Sequence, residues 1–157
     1  MHELQAPALK YSTFEQMHQL WLQYISMVLQ VRPDDLKKGI KVTDGSNQST
    51  FCSKLVKADF SGAKVKIVKS KNTQLVGMKG LIVRESARTF VLIQPDDSVT
   101  VIPKESSVFQ FKLPSHLKSQ NETKPSLAVN VWGDTVLYKG SERSKLKFKE
   151  KYNLALY

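Results

Sequence analysis

The stretch Lys57–Ser86, KADFSGAKVKIVKSKNTQLVGMKGLIVRES, decides the fold of this 157-residue chain. Val65 and Ile67 alternate with Lys64, Lys66 and then Lys69, so a strand here carries one apolar and one cationic face. Gly77 and Gly80 bracket the start of a second strand, Gly80-Leu-Ile-Val83, where small residues suit a bend for barrel closure or a close backbone approach. Between the two strands Lys69-Ser-Lys71-Asn-Thr is a basic, polar loop. Apolar residues inward and lysines outward is how a small antiparallel barrel makes a core and a polyanion-facing surface from one segment.

Working outward, the alternation predicts strands at 62–69, 77–85, 89–94, 98–103 and 107–113. Glu85–Thr89 and Gln94–Ser98 are turns, Asp96-Asp97 is turn chemistry, and Pro103 belongs at a strand end or edge. Residues 114–127 are polar, with two prolines, and are expected to form an exposed loop. A last hairpin is expected from Ala128–Trp132 and Thr135–Tyr138 about a Gly133-Asp134 turn. The closing KGSERSKLKFKEKYNL is expected to be a basic helix or arm capped by Ser141 or Ser144.

Upstream, Ser12-Thr-Phe-Glu15 has the form of a capping box. Phe14, Met17, Trp21, Tyr24 or Ile25, and Val28 then recur at helical spacing until Pro33 ends the element. Residues 34–50 are a linker, and Phe51–Lys57 is expected to be a short second helix with Thr50 at its N-cap. The chain thus divides into 1–50, an N-terminal helix and linker, and 51–157, a barrel domain with a basic C-terminal arm.

The net charge is +10, yet residues 1–51 are neutral, so the whole excess lies on residues 52–157. Such an excess points to nucleic acid before an anionic membrane. The cations fall into two sets. Lys64, Lys66, Lys69, Lys71, Lys79, Arg84, Arg88 and Lys104 belong to the barrel, and Arg143, Lys145, Lys147, Lys149 and Lys151 to the arm. Lysines make point-charge contacts with phosphate and read shape rather than sequence. The spacing of the arm's lysines repels along a helix, so the arm is expected to order on RNA. The helix stripe Phe14, Met17, Trp21, Tyr24 and Val28 is aromatic-rich and its segment has no net charge. It is expected either to pack on the domain's own core or to hold a neighbouring protein, with Trp21 and Tyr24 as anchors.

Cys52 is alone, which excludes an intrachain disulfide and suits a reducing compartment and a buried structural thiol. The three histidines, His2, His18 and His116, lack metal-ligand spacing. No segment has the length of a membrane span and no signal peptide is read, so the expectation is a soluble intracellular protein. Asp59, Glu85, Asp96, Asp97 and Glu105 lie at turns or beside prolines, without a paired acid and base, and no hydrolase or phosphate-loop motif occurs. Glu85 is expected to pair with Arg84 or Arg88, or to cap the turn.

The order of these pieces, ADFSGAKVKIVKSK, VGMKGLIVRES, VIPKESSVFQF and KGSERSKLKFK after a helix, resembles the Sm-like or SH3-like barrel protein subunit of archaeal and eukaryotic ribonuclease P, shared in eukaryotes with RNase MRP. The resemblance covers residues 55–113 and 139–151, and the helix by type and position. It implies a mainly β fold, a small Sm-like/SH3-like barrel of five or six antiparallel strands with an N-terminal helix and a basic C-terminal helical arm. It implies a non-catalytic RNA-binding subunit with no cofactor, since in this family the RNA cuts the 5′ leader from precursor tRNA. Partners implied are ribonuclease P RNA, MRP RNA, precursor tRNA and other protein subunits, including a small zinc-ribbon protein at the helix. The implied location is the nucleus and nucleolus, and the implied processes are tRNA and rRNA processing. The alternative is a Tudor-like or SH3-like peptide-binding module, which needs an aromatic cage. Phe90, Phe109 and Phe111 alternate inward and favour a core. A small basic nuclease is disfavoured by the missing acid and metal constellation.

Overall fold

A computed structural model of the chain describes residues 9–29, 53–113, 127–138 and 155–156. The helix α1 (Tyr11–Leu29) precedes β1 (Lys64–Lys69), β2 (Lys79–Glu85), β3 (Thr89–Ile93), β4 (Val99–Pro103), β5 (Val108–Leu113), β6 (Leu127–Trp132) and the two-residue β7 (Ala155–Leu156). Residues 53–57 are helical. Every pairing is antiparallel, and the strand order is β4-β3-β2-β1-β5-β6-β7. The first five strands fall within two residues of their expected bounds.

The sheet curls because its ladders are interrupted where extra residues bend a strand. The register shifts between Ile67 and Lys69 against β5, and between Ile82 and Arg84 against β3. Gly80 supports the same curvature, since a Cβ there would stand 2.6 Å from the Ile93 carbonyl oxygen. The concave side holds a run of aromatic rings. Phe109 meets Phe90 edge to face at 5.0 Å, Phe90 meets Phe60 at 5.9 Å, and Phe60 stacks on Phe111 at 4.8 Å. Trp21 extends the run from α1, its ring 6.5 Å from Phe111.

Strands β4 and β6 end beside each other without a ladder. Gly133, just after β6, lies so close to the Lys104 backbone that a Cβ would overlap its carbonyl oxygen. The Lys104 side chain is fully buried at this junction. Its Nζ donates to Glu85 Oε1 at 2.9 Å, Ser86 O at 2.8 Å and Val136 O at 2.7 Å, with Tyr138 O at 3.3 Å and the Phe90 ring centroid at 4.7 Å. Glu85 therefore pairs with Lys104 rather than with Arg84 or Arg88. The expected strand Thr135–Tyr138 is replaced by a 3-10 turn, Gly133–Val136. That turn aims the Val136 and Tyr138 carbonyls at the ammonium, and Thr135 Oγ1 closes it by donating to Trp132 O at 2.7 Å.

The helix packs on this core. Trp21, Ile25 and Leu29 belong to the same buried cluster as the strands. Trp21 Nε1 donates to Asp59 O at 2.8 Å, and the Asp59 amide donates to Tyr24 Oη at 3.1 Å. These two aromatics hold the turn before β1, so they are not free anchors for a partner. Phe14, Met17 and Val28 are half-buried alongside them, and the exposed apolar residues of α1 are Leu20 and Met27. The expected Ser12–Glu15 capping box gives way to a distant cap, with the Tyr11 amide donating to Asp97 Oδ1 at 2.7 Å. Asp97 takes a left-handed backbone, φ 66°, in the turn that brings it there. The 34–50 linker, Cys52, nearly all of the 114–127 loop and the 139–151 arm lie outside the described residues.

Removing Lys104 leaves the Glu85 carboxylate buried without its cation, so Lys104→Met should cost about 3–5 kcal/mol in urea unfolding. Lys104→Met combined with Glu85→Gln should recover part of that loss, because no lone charge is then buried. A second prediction concerns His18, which is buried with Nδ1 donating to Gly62 O at 2.9 Å. Burial pushes its pKa below the ordinary 6.5; the Gly62 bond opposes this, the nearby Lys64 charge adds a smaller lowering, and Glu15 opposes least. The unfolded chain therefore binds a proton that the folded chain resists. Stability should be level above about pH 6.5 and decline as pH falls through that value. His18→Asn keeps an N–H donor, and its unfolding free energy should fall less than the native protein's between about pH 7.5 and 5.5.

Candidate nucleic-acid interface

The convex side of β1, β2 and β5 is cationic because period-2 alternation turns Lys64, Lys66, Lys79 and Lys112 outward, with Gln110 and the buried Leu81 among them. Lys66 stands opposite Lys79 on β2 and Gln110 on β5, and Val65 stands opposite Gly80 and Phe111. One step along, Lys64 and Lys112 flank the Val65–Phe111 pair. All four lysines are exposed, and among the described residues none has a carboxylate within ion-pair distance. Like charges directly opposite on neighbouring strands repel, so the Lys66–Lys79 pair works against the sheet.

These lysines rim a shallow pocket of about 300 Å³, lined by Tyr11, Lys64, Val65, Lys66, Lys79, Gly80, Pro95, Gln110 and Lys112. Val65 and Gly80 are inward positions, so they contribute backbone. Tyr11 arrives from α1, fixed by the bond between its amide and Asp97, and Pro95 comes from the same turn as Asp97. Burial, then the charge of Glu15, raises the Tyr11 pKa above its ordinary value of 10.0, so the phenol keeps its proton at neutral pH.

Of the expected RNA-contacting residues, Lys64, Lys66 and Lys79 are brought together here. Lys69 is exposed nearby, 5.8 Å from the Trp132 ring centroid, and Lys71 is exposed in the following loop. Arg84 and Arg88 are exposed at the opposite end of β2 and in the β2–β3 turn, away from the pocket. Lys104 is withdrawn from the surface altogether, consumed by Glu85 and three backbone carbonyls. Arg143, Lys145, Lys147, Lys149 and Lys151 lie outside the described residues.

Sequence reasoning missed Lys112, Gln110 and Tyr11. The first two were within reach, because Phe109, Phe111 and Leu113 are buried and alternation turns Gln110 and Lys112 outward. Tyr11 had no local signal, since a bond to a residue 86 positions away places it.

The remaining chemistry is structural. Phe90, Phe109 and Phe111 are fully buried and form no cage. Asp59 Oδ1 accepts from the Ser61 amide, and Asp96 Oδ1 from the Ser98 hydroxyl and amide, which lowers the Asp96 pKa. Among the described residues no group of His, Cys, Asp and Glu is placed to hold a metal ion.

Residues 53–146 match the family model described as ribonuclease P/MRP, subunit p29. The chain is 31% identical over 146 residues to the RNases MRP/P 32.9 kDa subunit of Saccharomyces cerevisiae, covering 90% of this chain and 48% of that protein. It is 31% identical over 147 residues to ribonuclease P protein subunit p29 of Rattus norvegicus, covering 94% of this chain and 57% of that protein. The corresponding protein of Bos taurus is 32% identical over the same length, with the same coverage. The chain spans about half the length of the curated relatives it matches.

Proposed function

The chain belongs to the ribonuclease P/MRP subunit p29 family, and from that premise we propose that it is a non-catalytic RNA-binding subunit of the ribonuclease P ribonucleoprotein, and of RNase MRP, supporting precursor-tRNA 5′ processing and rRNA processing. One observation carries the RNA-binding part. Lys64, Lys66, Lys79 and Lys112 crowd one sheet face without carboxylate partners among the described residues, two of them directly opposed across a ladder. Phosphates relieve that repulsion, and folded RNA presents them in dense rows. The non-catalytic part is supported by the use of the carboxylates: Glu85 holds Lys104, Asp97 holds α1, and Asp59 and Asp96 close turns. Catalysis on this reading belongs to the RNA subunit.

A protein neighbour, such as the zinc-ribbon subunit the resemblance implies, meets α1 on the side bearing Leu20 and Met27, since Trp21 and Tyr24 are committed to the Asp59 turn. The reading carries with it a nuclear and nucleolar location.

Tagged purification and sequencing of co-purified RNA tests the assignment. Enrichment of ribonuclease P RNA or MRP RNA is expected, and their absence would refute it. With purified RNA, replacing Lys64, Lys66, Lys79 and Lys112 by Ala should flatten the plot of log affinity against log salt by about 0.7–0.9 for each phosphate no longer neutralised. An unchanged slope would move the RNA to another face.

A further inference from the structure

We propose that the pocket beside Tyr11 receives one unpaired nucleotide of the bound RNA, with its base against the Tyr11 ring and the Gln110 amide and its flanking phosphates on the rim lysines. This rests on the RNA-binding reading above and sharpens it. Backbone contact alone needs a cationic surface, and a convex sheet face would serve. Here four lysines share the lining of a hollow with uncharged residues, among them Tyr11, Pro95 and Gln110. At about 300 Å³ the hollow is at the small end of ligand sites, large enough for a base and too small for a helix.

The parts suit a base. An aromatic side chain offers a stacking surface that every base can use. A carboxamide offers both a donor and an acceptor to a base edge. The Tyr11 phenol keeps its proton and adds a donor. The backbone of Tyr11 is also placed beside the hollow by its bond to Asp97. Lys66 and Lys79 face each other across the ladder, where a single phosphate placed between them would be attracted to both and lessen their repulsion. Duplex RNA keeps its bases stacked and paired, so only an extruded or single-stranded nucleotide can enter.

The test uses the full chain and three RNA hairpins that differ at one position: a fully paired stem, the same stem with one bulged adenosine, and that bulge made abasic. Fluorescence anisotropy should give about tenfold tighter binding to the bulged stem than to the other two, the size expected for one stacked base. Tyr11→Ala should abolish this preference, and Gln110→Ala, which leaves the ring in place, should reduce it. The double variant Lys66→Ala, Lys79→Ala should weaken all three RNAs together. Tight and equal binding of the three hairpins by the native protein would overturn the pocket while leaving RNA binding intact. Failure to bind any of them would overturn both. Displacement of bulged RNA by a polyglutamate peptide at equal concentration would assign the pocket to an acidic protein segment and likewise overturn the proposal.

Discussion

The ammonium group of Lys104 joins parts of the chain that the ladders of the sheet leave separate. Its three protons reach the end of β2, the turn after it and the 3-10 turn after β6, while the Phe90 ring covers its remaining side. The same residue offers its backbone to Gly133, so β4 and β6 meet through one amino acid. A strand-to-strand seam would spread this closure over several hydrogen bonds. Concentrating it on a buried charge makes the junction intolerant of change, because the desolvated ion is stable only while its acceptors stay in place. Arginine would be a poor substitute, since a planar fork cannot point three donors around a tetrahedral centre.

From this junction the division of labour between the faces follows. The concave side is filled by rings and aliphatic residues, and α1 completes it through Trp21, Ile25 and Leu29. On the convex side of β1, β2 and β5 Leu81 is still buried opposite Lys64, and exposed lysines occupy much of the rest at the cost of mutual repulsion. The helix contributes to both sides. Its middle seals the core, while its first residue, held by Asp97, forms a wall of the cationic pocket. The element that finishes the interior thereby also shapes the exterior site.

Most of the sheet is legible in the sequence because β1 and β5 alternate in hydrophobicity, β2 and β3 are short apolar runs, and each turn carries its own chemistry. Lys104 marks the point where charge misleads. The period that puts Ile102 inside puts Lys104 inside as well, and charge alone argues for the surface. The deciding fact is a carboxylate 19 residues away, on a strand whose register no local pattern reports. The α1 stripe teaches a related lesson. Helical spacing shows that a face is covered, and Trp21 and Tyr24 are, but it does not say by what. The last strand pair fails for a third reason: the residues after β6 take their shape from the ammonium they surround, not from their own propensity.

The opposed lysines of β1 and β2 tie the solidity of the molecule to its surroundings. With that face empty, the chain folds against its own charge. Any polyanion that engages the ordered array better than the unfolded chain shifts the folding equilibrium by mass action. The barrel would therefore be more stable with a polyanion seated on that face than alone in dilute buffer.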